Sequence, residues 1–227
     1  MAIQHDIVHN TIALDLHRRS SAFIGGFILL AAAGCGGSIP KMHYYVLDMP
    51  AVAPQPGDPA PYTVAVTPFR VPGQLEQDRI LFRPSPQEVD FYEYHRWAER
   101  PSSMVTSALL ARLRAQRVFR GVSLFDGRTK SDYLIRGRME RLEEVDSSGG
   151  VSVRVEVAAE LVEGKTNRTV WSGAGSHTGA VNEGDVKAVV AEMGSGVDAC
   201  LAQLTAGLQD FAKALPPPPA PASSQSR

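Results

Sequence analysis

The sequence predicts an α+β fold: a two-layer sandwich, with two main helices packed on one face of a mixed or antiparallel sheet. Three observations carry that expectation. Val151, Val153, Val155, Val157, Ala159 and Leu161 alternate with Ser152, Arg154, Glu156 and Glu160, the period-two pattern of a half-buried strand. Val186, Val190, Met193, Val197, Cys200, Leu201, Leu204, Leu208 and Phe211 recur every three or four residues, one apolar stripe along a long helix. A shorter stripe of Val105, Ala108, Leu109 and Leu113 marks a second helix, with Arg112, Arg114 and Arg117 largely on its other side. Each element has a single apolar face, and such faces are buried by stacking the elements in layers.

The chain opens on a segment of another kind. Arg18 and Arg19 precede an uncharged run, Ser20 to Ser38, whose apolar centre is Ala22 to Ala33. A basic segment before about a dozen apolar residues is the pattern of a secretory signal. A spanning helix needs roughly 20 apolar residues, more than this centre has. Ala32-Ala33-Gly34-Cys35 resembles a lipobox, the motif at which a prolipoprotein is acylated and cut before its cysteine. It departs from that motif at Ala32, where Leu is usual. The expectation is a signal peptide over 1–34, diacylglycerol on the Cys35 sulfur, and a membrane held through that anchor. One acyl chain binds marginally, at about 0.8 kcal/mol per buried methylene, whereas two or more hold stably. In a Gram-negative envelope, Gly36 rather than Asp after the cysteine implies, by general lipoprotein sorting, the periplasmic face of the outer membrane. Met1 to His17, with Asp6 and Asp15, are long and acidic for a basic leader and point to a start further downstream.

From the cysteine to Pro61 the chain is rich in Pro and Ala and reads as a tether over 35–61. Its short extended run, His43 to Leu47, leads into or pairs with the edge of the domain, which is expected over 62–215. Tyr62 to Pro68 alternates, with Val64 and Val66 on one face, and predicts a strand. Arg79 to Arg83 is another, ended by Pro84 and Pro86, which lack the ladder donor. Val89 to Trp97 is aromatic and partly alternating, a strand or an ordered loop. Pro101 begins the first helix, with Ser102 or Ser103 near its cap and Gly121 as its stop. Val122 to Phe125 and Asp132 to Val145 are strands. Turns at Ser147–Gly150 and Gly164–Asn167 join the second of these to the alternating strand and to a third, Arg168 to His177, as a meander. Gly194-Ser195-Gly196 interrupts the long helix and marks a bend or a close approach to the sheet. Pro216 to Pro219 stop it, and 216–227 is a Pro/Ala/Ser tail expected to be disordered.

Composition narrows the function. A net charge of -1 gives no electrostatic reason to expect nucleic acid as a partner. The two cysteines, Cys35 and Cys200, imply no disulfide framework, and Cys200 lies on the apolar stripe as a small buried hydrophobe. There is no G-x-S-x-G elbow, H-E-x-x-H, paired C-x-x-C or Walker loop. His43, His95 and His177 are far apart in sequence and read as surface or strand residues rather than metal ligands. Asp78, Arg79 and Glu93 make at most a charged, solvated cluster. The expectation is a protein without catalytic residues, metal or cofactor.

The chain resembles the ABC-type transport auxiliary lipoprotein family, which includes the paraquat-inducible lipoprotein. The likeness is carried by Cys35, Tyr45-Val46-Leu47, Val64-Ala65-Val66-Thr67-Pro68 and Leu75-Glu76-Gln77-Asp78-Arg79-Ile80. It continues through Tyr94, Arg96-Trp97, Asp132-Tyr133-Leu134, the alternating strand and the last helix, in that order. The resemblance implies a non-enzymatic docking component of an MCE-type ABC lipid transport system working between inner and outer membranes. Its implied partners are a periplasmic MCE-domain protein, the ABC permease and ATPase, and further copies of itself in a ring. Asp78, Arg79 and Trp97 are implied as family signatures with a share in contacts. The competing reading is a general envelope-assembly or stress lipoprotein that binds other envelope proteins without moving lipid.

Overall fold

The alternating strand and its two meander neighbours form the centre of the molecule. The computed structural model describes residues 40–182 and 185–216. The strands are β1 (His43–Tyr45), β2 (Ala60–Val66), β3 (Arg79–Ser85), β4 (Glu88–Trp97), β5 (Phe119–Leu124), β6 (Tyr133–Ser147), β7 (Gly150–Glu163) and β8 (Thr169–Val181). Two helices, α1 (Pro101–Ala115) and α2 (Val186–Ala214), complete the described residues, with one 3-10 turn at Gly73–Leu75. All eight strands join one mixed sheet, the α+β architecture that the period-two and helical stripes predict.

The sheet branches at β6. One edge of this strand runs antiparallel to β7 for its whole length, and β7 pairs antiparallel with β8. Its other edge is shared. Near the start, Val64 and Val66 of β2 pair in parallel with Tyr133 and Ile135, and β5 pairs in parallel beyond β2. Near the end, Phe82 and Arg83 of β3 pair in parallel with Glu144 and Val145, and β4 and then β1 follow. Between the two branches Arg70 bridges to β6: its amide donates to the Gly137 carbonyl at 3.0 Å and its carbonyl accepts from Met139 at 2.9 Å. Backbone groups of β6 that neither branch covers are satisfied there, as buried peptide groups require.

One face of the sheet holds the core. Val64, Val66, Ile135, Met139, Val153, Val155, Val157 and Leu161 are buried with Val105, Leu109 and Leu113 of α1 and Val197, Leu201, Leu204 and Leu208 of α2. The helices are joined by Arg112, whose guanidinium donates to the Asp198 carboxylate. A slip in register between Met139 and Arg141 keeps Leu142 on the core side.

The helix α2 is continuous from Val186 to Ala214, so Gly194-Ser195-Gly196 is a close approach rather than a break. A Cβ at Gly196 would come within 2.7 Å of Val155, and one at Gly194 within 2.5 Å of the Asp48 carbonyl. The strand beneath answers with its own glycines: a Cβ at Gly175 would stand 2.7 Å from the Cys200 carbonyl oxygen. The GAGS run, Gly173 to Ser176, therefore lies inside β8, where it lets the helix backbone rest on the strand.

Several local expectations are corrected. The cap of α1 is Arg100 with Pro101 in the first turn, and neither Ser102 nor Ser103 caps it. The helix ends at Ala115, and Arg117, in the left-handed region at φ 50, turns the chain into β5. Gly121 lies within β5, paired with Thr63, not at the helix stop. Pro84 lies inside β3 rather than ending it. The run from His43 to Leu47 does pair with the sheet edge, and the chain after it lies along the helices. The Leu47 amide meets the Met104 sulfur at 3.2 Å, and the Gln55 amide donates to the Ala115 carbonyl at 3.0 Å.

Candidate functional site

The branch formed by β3, β4 and β1 gathers most of the candidate residues that the structure describes. Parallel pairing sets His43 opposite His95, Tyr44 opposite Arg96 and Tyr45 opposite Trp97. The Trp97 side chain is buried in the core, and its amide donates to the Asp78 carbonyl. Arg96 donates to both carboxylate oxygens of Asp78, at 2.7 and 2.8 Å, and Arg79 is its cross-strand partner. Asp78, Arg79 and Trp97 are thus brought together at the β3–β4 junction: Trp97 as a core anchor, Asp78 and Arg79 at the surface. Glu93 takes no part in the Asp78 ion pair, which goes to Arg96 instead. Cys35 and the lipobox residues Ala32, Ala33 and Gly34 lie outside the described residues.

Sequence reading missed an aromatic row on the same branch. The His43 and His95 rings stack at 5.2 Å, and Tyr45 and Tyr92 contact His95 at 5.6 and 5.5 Å. Phe82 continues the row against Tyr92 at 4.9 Å. The Tyr45 hydroxyl meets His95 Nδ1 at 2.8 Å. Burial and then the neighbouring His43 hold the His95 imidazole below the ordinary histidine range. The row ends on Glu144, which accepts from the Tyr92 hydroxyl at 2.8 Å. Burial pushes the Glu144 carboxyl above the usual carboxylate range, partly offset by that hydrogen bond. Nothing in the spacing of His43 and His95 shows the stack, since a parallel pairing of residues 52 positions apart has no local pattern.

The opposite face of the sheet carries charge. Glu143, buried, accepts from Arg83 at 3.0 Å and from Arg141 at 2.9 Å, and Arg141 also reaches Glu156 at 3.1 Å. Further along, a shallow groove of about 840 Å³ crosses β6, β7 and β8, floored by Gly137, Ala158 and Ala174 and rimmed by Arg70, Arg138 and Phe125. Arg138 is held by Glu140 at 2.7 Å.

Among the described residues, every buried side-chain nitrogen or oxygen has a hydrogen-bond partner. No group of three His, Cys, Asp or Glu among them could hold a metal ion. Cys200 is wholly buried, and burial pushes its thiol up to about 11, away from the thiolate a nucleophile needs. His177 meets Glu192 on α2 at 2.7 Å, a pair that ties the last strand to the helix over it.

The described residues form a two-layer α+β domain whose first strand is docked on the edge of a branched sheet. The chain belongs to the family of ABC-type transport auxiliary lipoprotein components, whose model matches residues 45–205. The match begins at the last residue of β1 and ends in α2, so it takes in strands β2 to β8. Among solved structures, a Xanthomonas campestris protein of the DUF330 family model is similar at a TM-score of 0.64 and 20% identity, over 75% of this chain and 96% of that one. An uncharacterized protein is similar at 0.56 and 15% identity, over 77% and 98%. At these identities the likeness is one of fold. Among curated proteins none matches this sequence.

Proposed function

We propose that this chain is a lipoprotein anchored through Cys35 in the outer membrane, where it serves an MCE-type ABC lipid transport system as a non-enzymatic docking component. The observation that carries this reading is the family match over 45–205, joined to a cysteine ten residues before it in a lipobox-like setting. The family's description as a transport auxiliary component supports the non-enzymatic role. The partners proposed are a periplasmic MCE-domain protein, the ABC permease and ATPase behind it, and other copies of this chain in a ring.

The test is capture of the acylated chain, solubilised from membranes, together with its bound proteins. Co-purification of an MCE-domain protein, and altered outer-membrane lipid composition on deletion of the gene, are the expected results. A deletion strain with normal lipid asymmetry but defective envelope assembly would overturn the transport role in favour of a general assembly lipoprotein. The anchor has its own test: labelling with a palmitate analogue is expected for the natural chain and lost in Cys35→Ala. Equal labelling of the two would refute it.

A further inference from the structure

We propose that the outer face of β1 and β4 is a bilayer seat, in which Tyr44, Val46 and Tyr94, with Arg79 and Arg96 beside them, rest against lipid headgroups. The inference rests on acylation of Cys35 and adds to it the face that meets the membrane.

The strand pattern isolates this face. Tyr45 and Leu47 turn inward, while Tyr44 is 65% and Val46 55% exposed, more than any other large hydrophobic side chain among the described residues. A single exposed hydrophobe needs no explanation. Here the exposed pair has a particular setting. Register places Tyr44 against Arg96, and Arg96 against Arg79 on the next strand, and Tyr94 lies two residues before Arg96 in the irregular part of β4. Aromatic rings with polar tips, flanked by guanidinium groups, are the side chains that gather at a membrane–water interface. Anionic headgroups would attract the arginines further. Asp78 is the carboxylate bonded within the patch, and it is matched by Arg96.

Chain length supplies the occupant. His43 follows Cys35 by eight residues, and eight residues reach at most roughly 26–29 Å when fully extended. An acylated Cys35 therefore keeps β1 near the bilayer, and the face of β1 that carries exposed apolar groups is the one a lipid surface would cover. The acyl chains supply the affinity. The seat supplies orientation. Sheet order then sets β8 five strand spacings from β1, about 24 Å away. Its outer edge, which pairs with no other described strand, and the end of the domain around it are held away from the membrane, toward whatever arrives from the periplasm.

The test uses the acylated full chain in vesicles of phosphatidylethanolamine and phosphatidylglycerol with brominated acyl chains. Acylation consumes the Cys35 sulfur and Cys200 is buried, so Val46→Cys and Ser176→Cys each offer one site for a bimane label. Several-fold stronger quenching at position 46 than at 176 is expected. Adding Tyr44→Ser and Tyr94→Ser to the Val46→Cys chain should bring its quenching down toward the level at 176 while flotation with the vesicles is kept. Equal quenching at the two positions, with flotation intact, would overturn the seat and leave the anchor standing. A chain that does not float would overturn both.

Discussion

Trp97 and Asp78 touch through the backbone yet differ in what they contribute. Trp97 fills the core under the β1–β4 pairing, and Trp97→Ala is expected to cost about 3–5 kcal/mol in urea unfolding. The Asp78–Arg96 pair is largely open to solvent, and Asp78→Asn should cost less than about 1 kcal/mol. Two titrating residues on the same branch bias stability in opposite directions. Burial and the His43 ring lower the His95 pKa in the folded chain, so the unfolded chain takes up the proton first. Stability should therefore be lost as pH falls below about 6.5, and His95→Gln should flatten that part of a pH–stability profile. Glu144 is raised in the folded chain, chiefly by burial, so the folded form holds its proton longer. Stability is then lost as pH rises from the ordinary carboxylate range through the folded value, and Glu144→Gln should remove that slope. Melting temperatures measured across pH for the two variants separate the windows.

At the scale of elements, the contact of α2 with β8 depends on what glycine leaves out. Gly175→Ala puts a methyl group 2.7 Å from a backbone oxygen of the helix, where no flexible side chain can yield. Strand or helix must shift, at a cost of about 1–3 kcal/mol. Gly73→Ala, with nothing within 4 Å of the added carbon, is the matched control and should be near neutral in the same measurement. Gly194→Ala acts on a different partner, the Asp48 carbonyl in the segment that lies over the helices. It is expected to loosen that segment, read as faster limited proteolysis between Asp48 and Asp58 with the rest of the chain protected. The periodic elements were legible in advance because burial of one face imposes a repeat of 2 or 3.6 residues. The turn at Arg117 just past the helix end was not, since a left-handed turn at a non-glycine residue has no compositional sign.

For the whole molecule, anchoring and folding are separate properties. Among the described residues the buried core begins at Leu47, twelve residues after Cys35 in sequence. Cys35→Ala is therefore expected to move the protein from the membrane to the soluble fraction while its urea midpoint stays unchanged. The branch at β6 gives the two halves of the sheet different work. β2 and β5 close the core under α1, whereas β3, β4 and β1 extend from the other half of the same edge and carry the exposed aromatic and basic face.

Sequence alone determined the elements with a strong repeat, the two-layer architecture they require, and the cysteine at which an anchor is expected. It also brought Asp78, Arg79 and Trp97 forward as residues to watch. Only the tertiary structure decided that His43 stacks on His95, that Glu143 and Glu144 are buried with opposite-facing partners, and that one strand is shared by two branches. The physical reason is range. A period of apolar residues reports what each residue does within its own element, whereas the parallel pairings of β1 with β4 and of β2 and β3 with β6 join segments that no local pattern connects.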